Sequence, residues 1–242
     1  MTDYAKCSQK IVEILGLKYE PVAITLIHKD QPIPEGYTEP EKNVRHCQSI
    51  MRARRGEALS VPANKHACAV GASALGLMPL PDKIASGQFH FNLDMYGSEE
   101  AAKHTMEVRP AFQEGSMRAT LVSPLSKAVE PDIVIVTGVP EQIYWMMPAA
   151  ATYDEGGRVT IETASFQACC ADSTILPFQT GLPNISLGCY GCRRQTDLAP
   201  EEMLLGFRAD RLERIVEILE KLNENAIPKC REGNIRSAQK IE

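Results

Sequence analysis

The chain has 242 residues and a formal net charge of −5, with hydrophobic residues at 44% and charged residues at 24%. These proportions are typical of a globular protein with a substantial core, and they exclude the disordered and fibrous classes. The acidic balance disfavours nucleic acid as a partner, because neutralising phosphates requires a dense basic face. No signal-peptide pattern or stretch of roughly 20 apolar residues is visible, so we expect a cytoplasmic protein with no membrane partner.

The first part of the chain alternates between helical and strand patterns. Apolar residues recur at helical spacing near the start, and short β-rich runs follow proline or glycine. The predicted elements, in order, are a helix over Tyr4–Leu15, a strand over Val22–Ile27, a helix over Arg45–Arg55, a strand over Ala58–Pro62 and a helix from His66 to Leu77.

The later part continues the alternation after a less regular stretch between residues 81 and 115. The run Ile133–Val136 is apolar throughout and bounded by turn residues, which is typical of a buried central strand. The other predicted elements are a helix beginning at Ser98, a strand over Met117–Val122, a helix from Pro140 to Tyr153, a strand over Val159–Thr163 and a long amphipathic helix at about 200–224, after which the tail is expected to be loosely held.

Together these elements predict a single α/β domain over residues 1–242, with a mixed sheet and flanking helices. Residues 21–80 and 131–190 share a similar order of elements, which suggests two pseudo-symmetric strand-helix-strand-helix halves. Cys68 and Cys169 align in that comparison and would lie at equivalent turns facing one pocket. Few identities support the repeat, and chance similarity is the alternative.

Eight cysteines in a chain expected to stay in a reducing compartment point to metal binding or thiol chemistry rather than disulfides. Cys7 lies in a predicted helix and Cys230 near a polar tail, so both are set aside as ordinary residues. Cys47, Cys68 and Cys169 each lie near a predicted helix start. Free amides and the helix dipole there favour the thiolate, which is the form that binds metals and attacks substrates.

The segment Cys189-Tyr-Gly-Cys192 adds a Cys-x-x-Cys pair in a glycine-containing turn. Two thiols from one turn with others from distant segments is a common metal arrangement, although a redox dithiol also has this spacing. Arg193 is a candidate for offsetting the charge of a cluster or holding an anionic substrate, whereas Arg194 is expected to be a solvated surface residue.

The spread of the thiols over separate elements favours an iron–sulfur cluster over structural zinc, which usually takes two close Cys pairs. His46 and His66 flank Cys47 and Cys68, so mixed Cys/His zinc ligation stays open. Cys170 adjoins Cys169, and because neighbouring side chains diverge, only one of this pair is expected to bind metal.

The cysteine motifs resemble those of the uncharacterised ArCR-type proteins, domain of unknown function 169, of anaerobic bacteria and archaea. The resemblance runs from Pro21 to about Leu219. It rests on five motifs: Arg45-His-Cys47 with Ala53-Arg-Arg-Gly56, Cys68-x-x-Gly71 with Ala74-Leu-Gly76, Pro131-Asp-Ile-Val, Ala168-Cys169, and Leu187-Gly-Cys189-x-Gly191-Cys-Arg193.

The resemblance implies one set of four thiolates, Cys47, Cys68, Cys169 and Cys189, with Cys192 as an extra or substitute ligand. Cys170, the neighbour of Cys169, is a further possible substitute. Our hypothesis is a 4Fe-4S protein of anaerobic metabolism that transfers electrons to a partner protein or acts on a small substrate, with a homodimer as one assembly. The family description settles no activity.

Two alternatives stay open. One is a structural zinc module without catalysis. The other is a thiol enzyme with Cys68 or Cys169 as nucleophile and His66 or His104 as base.

Overall fold

One antiparallel sheet organises the fold. A computed structural model describes residues 2–164, 166 and 168–238, and within them every strand pair of the sheet is antiparallel. The strands lie in the order β2-β3-β1-β4-β6-β5. Their bounds are β1 (Val22–His28), β2 (Leu59–Pro62), β3 (Met117–Pro124), β4 (Ile133–Gly138), β5 (Asn184–Ser186) and β6 (Met203–Arg208).

Helices flank the sheet, and two π-helical segments interrupt the regular pattern. The π segments are Pro148–Thr152 and Ala168–Ile175, the second of which carries two cysteines. The α-helices are α1 (Tyr4–Leu15), α2 (His46–Ala53), α3 (Ala69–Ala74), α4 (Asp82–Ala85), α5 (Gln88–Phe91), α6 (Glu99–Glu107), α7 (Pro140–Met147), α8 (Leu176–Thr180), α9 (Tyr190–Gln195), α10 (Leu212–Glu224) and α11 (Ala226–Ala238).

The side chains of β4 alternate between two separate cores. Val134 and Val136 pack with α1, α7 and α10, which we call the α10 layer. Ile133 and Ile135 pack with α2, α3, the π-helix Ala168–Ile175 and α9, which we call the cysteine layer. Since successive side chains of a strand point to opposite faces, the sheet separates the two layers.

Glycine at position 206 allows the cysteine layer to approach the sheet directly. A Cβ built on Gly206 of β6 would lie only 1.9 Å from the backbone oxygen of Ser173 in the π-helix. The backbone of this π-helix therefore rests on the strand itself, a contact that any larger residue would prevent.

The α/β fold with a sheet and flanking helices is confirmed, and so is the buried central strand at Ile133–Val136, now β4. The sheet is antiparallel rather than mixed. The pseudo-symmetry is not confirmed, because the strand predicted over Val159–Thr163 is wrong. Residues 159–164 form no strand, and the backbone of Glu162 exchanges hydrogen bonds with the Asn184 side chain instead of a neighbouring strand.

The long helix predicted at about 200–224 is wrong in its first half. Its opening residues form strand β6, and helix α10 begins only at Leu212. Leu204 packs in the cysteine layer, whereas Leu205 and Phe207 pack in the α10 layer, so a strand covered on both faces produced an apolar run that imitates a helix. The tail predicted to be loosely held continues as α11.

In the described part of the chain, no helix combines the length and apolar character that crossing a membrane requires.

Candidate metal centre

A cavity of about 300 Å³ lies in the cysteine layer and opens to solvent. Six of the eight cysteines line it, and they come from four separate segments of the chain. We call it the cysteine cavity, after its thiols Cys47, Cys68, Cys169, Cys170, Cys189 and Cys192. None of these residues forms a disulfide, and Cys7 and Cys230 lie elsewhere, on α1 and α11.

Four of the six sulfurs form a contact group centred on Cys192. Its Sγ lies 3.2 Å from that of Cys189 and 3.4 Å from that of Cys169, and the Cys47 thiol is its third sulfur neighbour. Cys192, which the sequence analysis treated as a substitute, is therefore at the centre of this group.

The other two thiols, those of Cys68 and Cys170, lie beside Gly71. A Cβ built on Gly71 would lie 3.6 Å from the Sγ of Cys170 and 3.8 Å from that of Cys68. The side chains of Cys169 and Cys170 were expected to diverge. Both nevertheless line the same cavity.

The contact group changes the acidity of its thiols. Hydrogen bonds to Cys192 and burial raise the pKa of Cys47, Cys169 and Cys189 above the usual thiol range. The hydrogen bonds that Cys192 accepts lower its own pKa. Burial is the main cause of the raised pKa of Cys170. Thiolates side by side repel each other, so a bound cation would favour deprotonation of these four thiols.

A backbone donor adds to the site at the start of α9. Cys189 is the N-cap of α9, and its sulfur accepts a hydrogen bond of 3.4 Å from the backbone N–H of Cys192. Cys68 is the N-cap of α3, and Cys47 is the second residue of α2. The expectation that Cys47 and Cys68 lie near helix starts is confirmed, and Cys169, for which the same was expected, is the second residue of the π-helix. The helix that begins at Cys189 was not predicted.

Side-chain hydrogen bonds connect the segments that carry the cysteines. The Nε2 of His46 lies 3.1 Å from the hydroxyl of Thr174, which donates to the carbonyl of Cys169. Gln48 of α2 donates to the carbonyl of Gln195 at the end of α9. These contacts hold α2 against both the π-helix and the Cys-x-x-Cys segment.

A buried ion pair makes the strongest of these connections. Arg54, which follows α2 and is 4% exposed, donates to both carboxylate oxygens of Glu202 at 3.1 Å and to the carbonyl of Asp197 at 3.1 Å. Its guanidinium also lies 4.3 Å from the ring centre of Tyr19. Such a bidentate, buried geometry specifies position strongly, so Arg54 fixes α2 relative to the chain that follows α9.

Arg193, proposed from the sequence to bind the cofactor, does not line the cysteine cavity. Its guanidinium donates to the carbonyls of Leu187, Ala199 and Glu202 and so fixes the turn before Cys189. This is a correction of the sequence analysis: Arg193 shapes the loop from outside. Gly188 allows the close approach, since its φ is +80° and a Cβ there would lie 3.0 Å from the Arg193 Nε.

The arginines that do line the cavity are Arg45 and Arg194, which the sequence analysis left out of the site. Arg194 donates to the Tyr190 hydroxyl at 3.0 Å. Arg45 was visible only as the first residue of the Arg-His-Cys motif. The apolar part of the cavity, which includes Phe89 and Phe166, was also missed, because these residues follow no helical or strand period.

The histidines proposed as bases lie outside the cavity lining. His104 is exposed on α6, and His66 is buried, with a pKa lowered to about 4 by burial. The lining histidines are His46 and His90. Burial, followed by the nearby His66, lowers the pKa of His46 to about 3, so it is neutral at pH 7. Burial also lowers the pKa of His90.

The thiols and arginines that line the cavity have the chemistry that an inorganic group bound by thiolates requires. Among residues 2–164, 166 and 168–238, however, no group of three or more His, Cys, Asp or Glu side chains is arranged to hold a metal ion. In the contact group the sulfur of Cys192 lies 3.2 Å from that of Cys189 and 3.4 Å from that of Cys169, and the cavity lies beside these sulfurs.

Comparison with known proteins agrees with these motifs. The model of the uncharacterised ArCR family, DUF169, matches residues 10–218. The chain belongs to the ArCR family. An uncharacterised protein of Methanocaldococcus jannaschii, MJ0308, is 32% identical over 221 residues, which cover 90% of this chain and 94% of that protein. No solved structure matches the chain.

The matched region of the ArCR family contains all four segments that carry the cavity thiols. It ends within α10, so α11 lies beyond it. Family membership therefore covers the whole candidate metal centre, while the family description names no reaction.

Proposed function

We propose that this chain is an iron–sulfur protein of anaerobic metabolism, whose cluster is bound in the cysteine cavity. The observation that carries the proposal is the convergence of six thiols from four segments on one cavity of about 300 Å³. Thiolates are the usual ligands of iron–sulfur clusters, and hydrogen bonds to sulfur and burial tune such clusters. When bound, the cluster would supply one-electron redox chemistry.

The thiolates for a four-ligand set would come from four segments of the chain. Cys47, Cys169 and Cys189 contribute from the contact group, and Cys68 contributes from beside Gly71. This is the set that the family resemblance implies. Cys192 and Cys170 lie next to these thiols and are the substitutes. A reducing cytoplasm keeps such thiols available for metal, and it also supplies the protein or small-molecule partner that accepts the electrons.

The remaining residues of the cavity have distinct roles in this proposal. The backbone N–H of Cys192 donates to the sulfur of Cys189, which stabilises negative charge on that ligand. Arg45 and Arg194 offer positive charge beside an anionic cluster. The apolar wall and the burial of the thiols limit the access of water.

The test is anaerobic purification of the full chain, followed by assays of iron, acid-labile sulfide and visible absorbance. We expect a coloured protein with iron and sulfide in equal amounts. Changing Cys169 or Cys189 to serine should lower the iron content severely. Cys7→Ser and Cys230→Ser are matched controls outside the cavity and should retain the metal. A colourless chain without iron after reconstitution would contradict the proposal.

A second candidate is a single zinc ion in the contact group. A tetrahedral site with Zn–S bonds of about 2.3 Å has sulfurs about 3.8 Å apart, so the sulfurs around Cys192, at 3.2 and 3.4 Å, would have to move apart to hold the ion. Zinc without sulfide or colour would favour it. In that case Cys192→Ser should remove the metal, and Cys68→Ser should not.

A further inference from the structure

Two arginines at the cysteine cavity have no carboxylate partner in the described part of the chain. Arg45 is half-buried and Arg194 is exposed, and neither forms an ion pair. Arg45 lies against the Cys-x-x-Cys turn, where a Cβ on Gly191 would be 3.6 Å from its Nη1. Unpaired guanidinium groups beside a cavity are suited to a carboxylate, which they bind through paired N–H donors.

Aromatic side chains form another wall of the same cavity. Phe89, His90 and Phe166 line it, and the His90 ring centre lies 5.2 Å from that of Phe89 and 4.0 Å from that of Phe166. Tyr96 stacks on Phe166 from the other side. Phe89 is 44% exposed, so its ring is available for a ligand. Aromatic side chains of this kind favour offset or edge contacts with another planar ring.

The size of the cavity limits the ligand. Its volume of about 300 Å³ is at the lower end of ligand pockets, which span about 300–1,000 Å³. An inorganic group on the thiols would take part of this space. The remaining room suits one ring with a short acidic substituent.

We propose that the cysteine cavity binds a small planar carboxylate, a one-ring aromatic acid, with the carboxylate on Arg45 and Arg194 and the ring beside Phe89 and Phe166. The proposal names a substrate class for the iron–sulfur protein proposed above. Only a redox reaction of the bound acid would rest on that proposed function. Binding itself requires just the arginines and the aromatic wall.

The test is calorimetric titration of the full chain with benzoate, both before and after anaerobic loading with iron and sulfide. Cyclohexanecarboxylate has the charge without the planar ring, and benzyl alcohol has the ring without the charge. We expect benzoate to bind at least tenfold more tightly than either. Arg45→Gln should weaken benzoate about tenfold, whereas Arg118→Gln, at an exposed arginine on β3, should have no effect.

A second variant tests the ring independently of charge. Phe89→Leu keeps an apolar side chain at a partly exposed position, so the fold should be retained. It should weaken benzoate several-fold and leave cyclohexanecarboxylate nearly unchanged. Equal losses for both acids would overturn the assignment of a planar ligand.

The results separate this inference from the proposed function. If the chain takes up no iron but binds benzoate in a way that depends on Arg45, the inference is supported and the iron–sulfur proposal is contradicted. Iron and sulfide uptake without benzoate binding, or with binding that Arg45→Gln leaves intact, overturns the inference and preserves the cluster.

Discussion

The two layers on either side of the sheet are built from different materials. The α10 layer packs aliphatic and aromatic side chains, such as Ile11, Trp145 and Ile215, around α1, α7 and α10. The cysteine layer packs Cys47, Cys169 and Cys192 in its core. It also contains a π-helix, a segment type that is frequent at functional sites. The α10 layer therefore stabilises the sheet through apolar contacts, whereas part of the cysteine layer consists of thiols around a cavity.

The comparison shows what holds each layer together. Hydrogen bonds between side chains position the segments of the cysteine layer, whereas buried apolar surface positions the helices of the α10 layer. Arg54, Gln48 and Thr174 hold its segments together through hydrogen bonds with defined partners. Breaking a polar connection should therefore affect metal uptake as well as stability. Trimming the α10 layer should affect stability alone.

The largest effect is expected for Arg54→Met. Removing one member of a buried ion pair typically costs about 3–5 kcal/mol, because the remaining charge is left uncompensated. Glu202 is the charge left behind here, with its side chain 11% exposed. Urea denaturation of the metal-free chain should show the loss, and iron content should fall with it. The double variant Arg54→Met with Glu202→Gln should recover part of the stability. No recovery would mean that the cost does not come from the unpaired carboxylate.

The next largest effect is expected for Gly206→Ala. The added methyl would overlap the backbone oxygen of Ser173, and overpacking of this kind costs about 1–3 kcal/mol or more. The π-helix must move away from β6, so metal uptake should also fall. Thermal unfolding measures the first effect and iron analysis the second. Gly97→Ala is the matched control, since a Cβ there meets nothing within 4 Å. Equal behaviour of the two variants would contradict the direct packing.

A matched pair of core substitutions compares the layers directly. Ile215→Val on α10 and Ile50→Val on α2 each remove one methyl group from a fully buried side chain. Both should lower the free energy of unfolding by about 0.5–1.5 kcal/mol. Only Ile50→Val, on the helix that carries Cys47, should also speed the loss of iron to a chelator. If Ile215→Val releases iron equally fast, the layers do not act separately.

The smallest effect on stability is expected for Gly71→Ala, and its sign is opposite. Alanine in place of glycine within a helix stabilises by about 0.5–1 kcal/mol, and the methyl fits at 3.6 Å from the Cys170 Sγ. The same methyl occupies space between Cys68 and Cys170, so iron and sulfide loading should drop. Unfolding midpoint and iron-to-protein ratio are measured on one sample. A variant that gains stability and retains full loading would place the metal away from this side of the cavity.

Much of the site could be predicted from the local sequence. Cys47, Cys68 and Cys169 were expected near helix starts, because turn residues and apolar periodicity indicate where helices begin. Cys7 and Cys230 were set aside for the same local reasons, and both lie outside the cavity. The buried strand at Ile133–Val136 followed from an apolar run of strand length.

Other parts of the site could not be read from local patterns. Arg193 and Arg194 are neighbours, yet the first binds backbone carbonyls and the second lines the cavity. Their difference depends on where the turn at Gly188 and the chain near Ala199 meet. Phe89 and Phe166 belong to segments without a clear period, so only the folded chain brings them to one wall.

The sequence by itself determined the α/β fold class, the family and the cysteines that supply the thiols of the site, since apolar periodicity and a set of spaced cysteines are properties of local composition. The tertiary structure decided which thiols touch, which arginines reach the cavity and where β6 replaces the start of a predicted helix. The physical reason is that these outcomes depend on contacts between segments far apart in the chain, such as Gly206 with Ser173 and Arg54 with Glu202.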